Sequence, residues 1–258
     1  MHKKFSPDAP RVPLLGSERV FARVRSALAA VFRVAILAAV HVVTGVHLKG
    51  PGKPLGSARP GIYFANHTSL ADFLVIWVVM PASLRSRVRP VAAADFWQAS
   101  ALRRFIARDV FKALLIERAE RPTAAAQPSA LALLSEALQQ GDSLIFFPEG
   151  TRNTTDDALQ PFKSGLYHLA RAHPEAALVP VWLDNIRHVM PKGCCLPVPT
   201  LCAVHMGTPG GAALAADGQS MAVFLAQAQR AVLALKPGAD GAWLAPVDAA
   251  LDLWRRAA

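Results

Sequence analysis

The chain has 258 residues, 53% of them hydrophobic and only 18% charged, with a formal net charge of +10. A chain this long buries roughly 70–75% of its extended surface without staples, so it makes one large domain, or one domain with an appendage. The basic excess calls for an anionic partner, but nucleic acid is excluded by the lack of zinc-ligand spacing, RNP-like motif or basic heptads, and by only two tyrosines for stacking. Three cysteines, Cys194, Cys195 and Cys202, two of them adjacent and none in C-x-x-C, exclude a disulfide framework and a zinc site and suit a reducing compartment.

The high apolar and low charged content suggests that some apolar surface is meant for lipid. From Ser17 to Leu48 the chain reads as helix, and the longest run free of Lys, Arg, Asp and Glu is Val34 to Leu48. That is shorter than the roughly 20 residues a spanning helix needs, and no secretory cleavage pattern follows it. Val20, Val24, Leu28, Val31 and Ala35 share one helical face, with Arg19, Arg23, Ser26 and Arg33 opposite. This is the pattern of a helix lying in a membrane interface; an amphipathic helix packed on its own domain has the same pattern. Residues 1–48 are therefore set apart as a membrane-associated helical segment, and 49–258 as the main domain. Lys49 to Gly61, rich in Gly and Pro, reads as a linker or an irregular strand entry.

The main domain alternates apolar strand-like runs with helix-like ones. Strands are predicted at 61–66, 89–94, 112–117, 142–149, 176–183 and 200–207. Helices are predicted at 69–80, 96–110, 128–140, 163–174 and 219–235. This alternation indicates an α/β domain with a largely parallel sheet flanked by helices, whose site lies beyond the carboxyl ends of the strands. Polar clusters fall there: Asn66-His67, Glu117-Arg118 and Pro148-Glu149-Gly150.

The cluster "NHTSLAD", Asn66 to Asp72, lies between two apolar runs. Ser69 followed three residues later by Asp72 fits a helix capping box. That accounts for Ser69 and Asp72 but leaves His67 idle. Alternatively, Asp72 orients the His67 imidazole and leaves its other nitrogen free as a base. The two readings are compatible.

Taken together, these blocks resemble the glycerolphosphate acyltransferase superfamily, and the 1-acylglycerol-3-phosphate (lysophosphatidic acid) acyltransferases in particular. "NHTSLAD" matches N-H-x4-D, "LLIERA" an arginine after an apolar strand, "FPEGTR" (147–152) the third block, with "FKSG" after it, and "LVPVW" (178–182) the fourth. The resemblance covers about residues 60 to 185. It implies transfer of an acyl group from acyl-CoA or acyl-carrier-protein to the hydroxyl of a lysophospholipid, with 1-acylglycerol-3-phosphate as acceptor and phosphatidic acid as product. No cofactor or metal is implied beyond the donor substrate. His67 is the implied base and Asp72 its orienter. The thiol leaves easily, so no acyl-enzyme is needed.

Asn66, Arg118, Glu149, Gly150, Thr151, Arg152 and Lys163 are the substrate-binding candidates. Arg118, Arg152 and Lys163 suit an acceptor phosphate, although Arg152 also has Glu149 as a possible ion-pair partner. Glu149 is expected to bind the acceptor hydroxyl or hold Arg118, and Gly150 to let the backbone approach the ligand. Pro180 implies an edge strand, a first residue or a bulge, in a block the family associates with acyl binding. His41, His47, His168, His173, His188 and His205 read as surface or packed residues.

The helix at 96–110 has an apolar face and a basic face, a plain amphipathic pattern that also suits a second membrane contact. A different lyso-lipid acceptor, such as a lysophospholipid or an amino-acid lipid, and a catalytically silent lipid-binding protein are the alternatives. The intact His67/Asp72 pair argues against the silent protein. The expected location is the cytoplasmic face of the cell membrane, monotopic or peripheral, on an anionic surface.

Overall fold

The computed structural model describes residues 16–56, 59–117, 130–189, 198–210 and 219–238. Arg118, Cys194 and Cys195 lie outside the described residues. The strands are β1 (His47–Lys49), β2 (Gly61–Ala65), β3 (Val88–Ala93), β4 (Leu114–Ile116), β5 (Ser143–Phe146), β6 (Ala177–Asp184) and β7 (Ala203–Met206). They form one sheet in the order β1-β7-β6-β2-β5-β3-β4. Every pairing is parallel except β6 with β7. The expected largely parallel α/β architecture is what the chain adopts.

Parallel strands covered on both faces read as continuous apolar runs, and β2 is buried at every residue. Alternation then divides the core. Tyr63, Ile145, Val179 and Val181 face one layer, which holds α2 (Asp72–Val79) and the docked side of α1 (Gly16–Thr44). Ile62, Phe64, Leu144 and Leu178 face the other, under α6 (Ala130–Gln139), α7 (Gly165–Ala172) and α9 (Met221–Leu233). Two one-turn helices, α3 (Ala82–Arg85) and α8 (Ile186–Val189), lie between these elements in sequence.

Three expectations need correction. The helix expected at 96–110 is broken into α4 (Ala94–Gln98), α5 (Ala101–Phe105) and a π-helical turn (Ile106–Val110). The cause is Ser100, whose hydroxyl caps a new helix by accepting the Arg103 amide. Pro180 lies on β6, an interior strand. Its carbonyl accepts the Gly207 amide just past the end of β7, so the missing proline N–H falls where that ladder stops. A side chain at Gly207 would collide with the Pro180 ring, at 2.7 Å from Cγ. Finally, His47 and Leu48 are strand residues, paired with Ala203 and Val204, so the sheet begins inside the segment read as helix.

Helix α1 is long and apolar enough to cross a membrane. It docks along one side: Ala29 is buried, Phe32 meets Phe105 edge-on, and Ile36, Leu37, Val40 and Val43 pack on the core. Arg33 is not on a solvent face. It donates to the Val110 and Asp109 carbonyls at 2.9 Å each, and Arg25 pairs with the Asp109 carboxylate at 2.7 Å. The apolar face read from the sequence is the one left outside: Val20, Val24, Leu28 and Val31 are all at least half exposed, and Phe21, Val34 and Val42 are exposed beside them.

Candidate active site

β2 ends at Ala65, and the chain turns through Asn66 to Ala71 before α2 begins at Asp72. His67 Nδ1 lies 2.9 Å from Asp72 Oδ2. The same oxygen accepts the amides of Thr68 and Ser69 at 2.5 and 2.8 Å. The acidic half of the expected capping box is therefore present. The Ser69 hydroxyl turns instead to the Ala71 amide, at 3.2 Å. Asp72 is fully buried and His67 is 20% exposed, so the carboxylate is sealed behind the ring while the ring edge stays open. With Nδ1–H given to Asp72, Nε2 carries the lone pair. The ring stacks on Phe147, centroids 4.4 Å apart and 21° from parallel.

Two buried residues among the substrate-binding candidates also brace this turn. Asn66 donates from Nδ2 to the Leu183 carbonyl at 3.1 Å and accepts the Leu183 amide on Oδ1 at 2.7 Å. Its side chain extends the β2–β6 ladder by one step. Glu149 is 1% exposed, and its two oxygens accept the amides of His67, at 2.7 Å, and Gln160, at 2.9 Å. It makes no ion pair with Arg152. Burial pushes its carboxyl up to about 7; the two amides oppose this, and the Asp72 charge adds to it.

The remaining candidates surround the opening. Gly150 has φ +72, and a Cβ there would meet Lys163 Cδ at 2.9 Å, so the glycine admits the lysine. Thr151 is exposed and donates its hydroxyl to Gln160 Oε1 at 3.2 Å. Arg152 and Lys163 are exposed and line a cavity of about 720 Å³ that includes His67. Inward from these cations the walls are apolar, with Val91, Ile116, Leu131, Leu134, Phe146 and Leu169 from the ends of β3, β4 and β5 and from α6 and α7.

Three further residues adjoin the site. Asn153, next after FPEGTR, is buried, and its amide donates to the His67 carbonyl at 2.6 Å. Gln160 supplies the second amide on Glu149. His168, read as a surface or packed residue, is exposed and also lines the cavity, one helical turn beyond Ser164. Only Asn153 had a sequence signal, its position directly against the motif.

A family model for acyltransferases matches residues 46–184. The chain belongs to the acyltransferase family. The matched span runs from just before β1 to the end of β6 and contains every described candidate residue. The acyltransferase shares its fold with the crystal structure of PlsC, the 1-acyl-sn-glycerophosphate (LPA) acyltransferase of Thermotoga maritima. The TM-score is 0.58 at 20% identity, over 86% of this chain and 83% of that one. Comparison with curated proteins found no match. For this acyltransferase, the fold thus gathers a histidine–carboxylate pair, two exposed cations and an apolar cavity at one edge of the sheet.

Proposed function

We propose that this acyltransferase moves an acyl chain from a coenzyme A or carrier-protein thioester to the free hydroxyl of 1-acylglycerol-3-phosphate, giving phosphatidic acid. The observation that carries the reading is the His67–Asp72 pair opening onto an apolar cavity with Arg152 and Lys163 at its rim. The acceptor hydroxyl attacks the thioester carbonyl as His67 Nε2 takes its proton. Asp72 holds the ring and stabilises the imidazolium. The tetrahedral intermediate expels the thiolate, which takes the proton back from His67. An acyl chain suits the apolar walls, and the acceptor phosphate suits Arg152 and Lys163, since guanidinium and ammonium donors match its oxygens.

The apolar face of α1 supports a monotopic placement on the membrane. A helix fixed to its own domain through Arg25 and Arg33 has one side left for lipid. With that side in the interface, neither the single-chain acceptor nor the two-chain product needs to leave the bilayer. The cytoplasmic face fits, because thioester donors are made there. The test is acyl transfer by the purified protein against a panel of lyso-lipids, with both kinds of donor. Preferential use of the phosphomonoester acceptor supports the reading. Preference for a lysophospholipid with a larger headgroup, or for an amino-acid lipid, overturns the acceptor assignment.

A further inference from the structure

The turn carrying His67 is held at both of that residue's backbone polar groups from the loop after β5. Glu149 Oε1 accepts the His67 amide at 2.7 Å, and the His67 carbonyl accepts the Asn153 amide at 2.6 Å. The second contact is made by the peptide that joins Arg152 to Asn153. A trans peptide sets neighbouring Cα atoms about 3.8 Å apart, so this one hydrogen bond fixes where the Arg152 side chain starts relative to the base. His67 and Arg152 both line the cavity, whereas Asn153 is buried and takes no part in its wall.

The Asn153 side chain is spent on the loop itself. Nδ2 donates to the Asp157 carbonyl at 2.8 Å, and Oδ1 accepts the Thr155 amide at 2.9 Å and the Thr155 hydroxyl at 2.8 Å. A carboxamide offers both a donor and an acceptor, and burial makes each of these bonds costly to lose. From outside, Arg187 of α8 donates Nη2 to the Thr155 carbonyl at 2.8 Å. The base of the loop is closed by Gln160, whose amide meets Glu149 and whose carbonyl accepts Gln229 Nε2 of α9 at 3.2 Å.

Arg152 is thus exposed at its side chain but carried on a braced segment. In 1-acylglycerol-3-phosphate the free hydroxyl and the phosphate ester oxygen sit on adjacent carbons, so a held phosphate leaves the hydroxyl little reach. The spacing from Arg152 to His67 then decides whether that hydroxyl meets Nε2. We propose, resting on the acceptor reading above, that Asn153 is a positioning residue. It sets Arg152 against His67 and so couples phosphate capture to base catalysis, with Arg187 as its outer brace. It acts through the backbone and not on the reacting atoms.

The test is steady-state transfer by the full-length protein, with 1-acylglycerol-3-phosphate and the thioester varied in turn. Asn153→Ala and Arg187→Ala are each measured alone and combined with Arg152→Ala. Misplacement by about 1 Å costs up to about 10²-fold. Asn153→Ala is therefore expected to lower kcat/KM for the acceptor by about tenfold to 10²-fold, with KM for the thioester unchanged. Arg187→Ala should move the same constant in the same direction by less. In the Arg152→Ala background most of both losses should vanish, because the cation being placed is gone.

Losses of the same size with and without Arg152 overturn the proposal. So does a rise in KM for the thioester that matches the rise for the acceptor, which marks a loop serving the fold alone. If Asn153→Ala does not fold, the exposed Arg187→Ala decides by the same comparison, and constants equal to wild type then overturn it. Wild-type protein that transfers to no phosphate-bearing lyso-lipid is a different failure, one that overturns the acceptor reading itself.

Discussion

The Glu149 carboxylate accepts the backbone N–H of His67 at 2.7 Å and that of Gln160 at 2.9 Å. One buried acid thereby ties the His67 turn to the loop after FPEGTR. In Glu149→Gln one of the two amides faces an NH2 group and loses its acceptor. The variant is expected to be less stable by about 1–3 kcal/mol, measured by denaturant unfolding, with a lower kcat and little change in acceptor KM.

The same residue gives stability a pH slope. Burial raises the folded-state pKa from 4.5 to about 7, so the folded chain holds this proton more tightly than the unfolded one. The contribution is fully present below pH 4.5 and is lost as pH rises through about 7. The loss amounts to about 3 kcal/mol. Unfolding free energies of wild type and Glu149→Gln, measured across this window, should differ in slope, with the variant flatter.

Asp72→Asn keeps the shape but removes the charge that holds the His67 ring. An amide oxygen can still take the Thr68 and Ser69 amides that now converge on Oδ2. Turnover is therefore expected to fall more than stability does: kcat drops by about 10²-fold or more, while thermal unfolding shifts only modestly. Equal kcat in variant and wild type would remove Asp72 from the mechanism.

Gly150→Ala combines a left-handed φ with a Cβ at 2.9 Å from Lys163 Cδ. The conformational part costs about 1–2 kcal/mol. Displacement of Lys163 from the rim should raise KM for a phosphorylated acceptor more than KM for the thioester. Steady-state kinetics with each substrate varied in turn checks this.

Val24→Glu with Val31→Glu places charges on the exposed face of α1 and leaves the docked face of Ala29, Phe32 and Arg33 intact. Release from vesicles with an unchanged melting temperature is expected. Release of Arg33→Ala together with a lower melting temperature is expected too, because that side chain holds the Asp109 and Val110 carbonyls.

The strands β2 to β7 were legible because each is an apolar run closed by turn residues, and their alternation with helices implied the parallel sheet. The His67, Asp72 and FPEGTR cluster was legible because strand ends bring it together. β1 was not, since three residues reading His-Leu-Lys become a strand only by pairing with β7. The break at Ser100 was hidden by an unbroken amphipathic pattern around it. The parts of Asn66 and Glu149 were not legible either. The side chains that suit a ligand also suit an orphan backbone amide, and only burial tells them apart. Arg33 shows the same ambiguity on a helix, where an arginine on the polar side found carbonyls of its own domain.

His67 is proposed as the base of a transfer to a lyso-lipid hydroxyl. The measurement is single-turnover acyl transfer from acyl-CoA and from acyl-carrier-protein to 1-acylglycerol-3-phosphate, by wild type and by His67→Ala folded to the same circular-dichroism spectrum. Wild type should form phosphatidic acid, and the variant should be slower by about 10²–10⁴-fold with its vesicle binding intact. A variant within threefold of wild type would exclude His67 as the base.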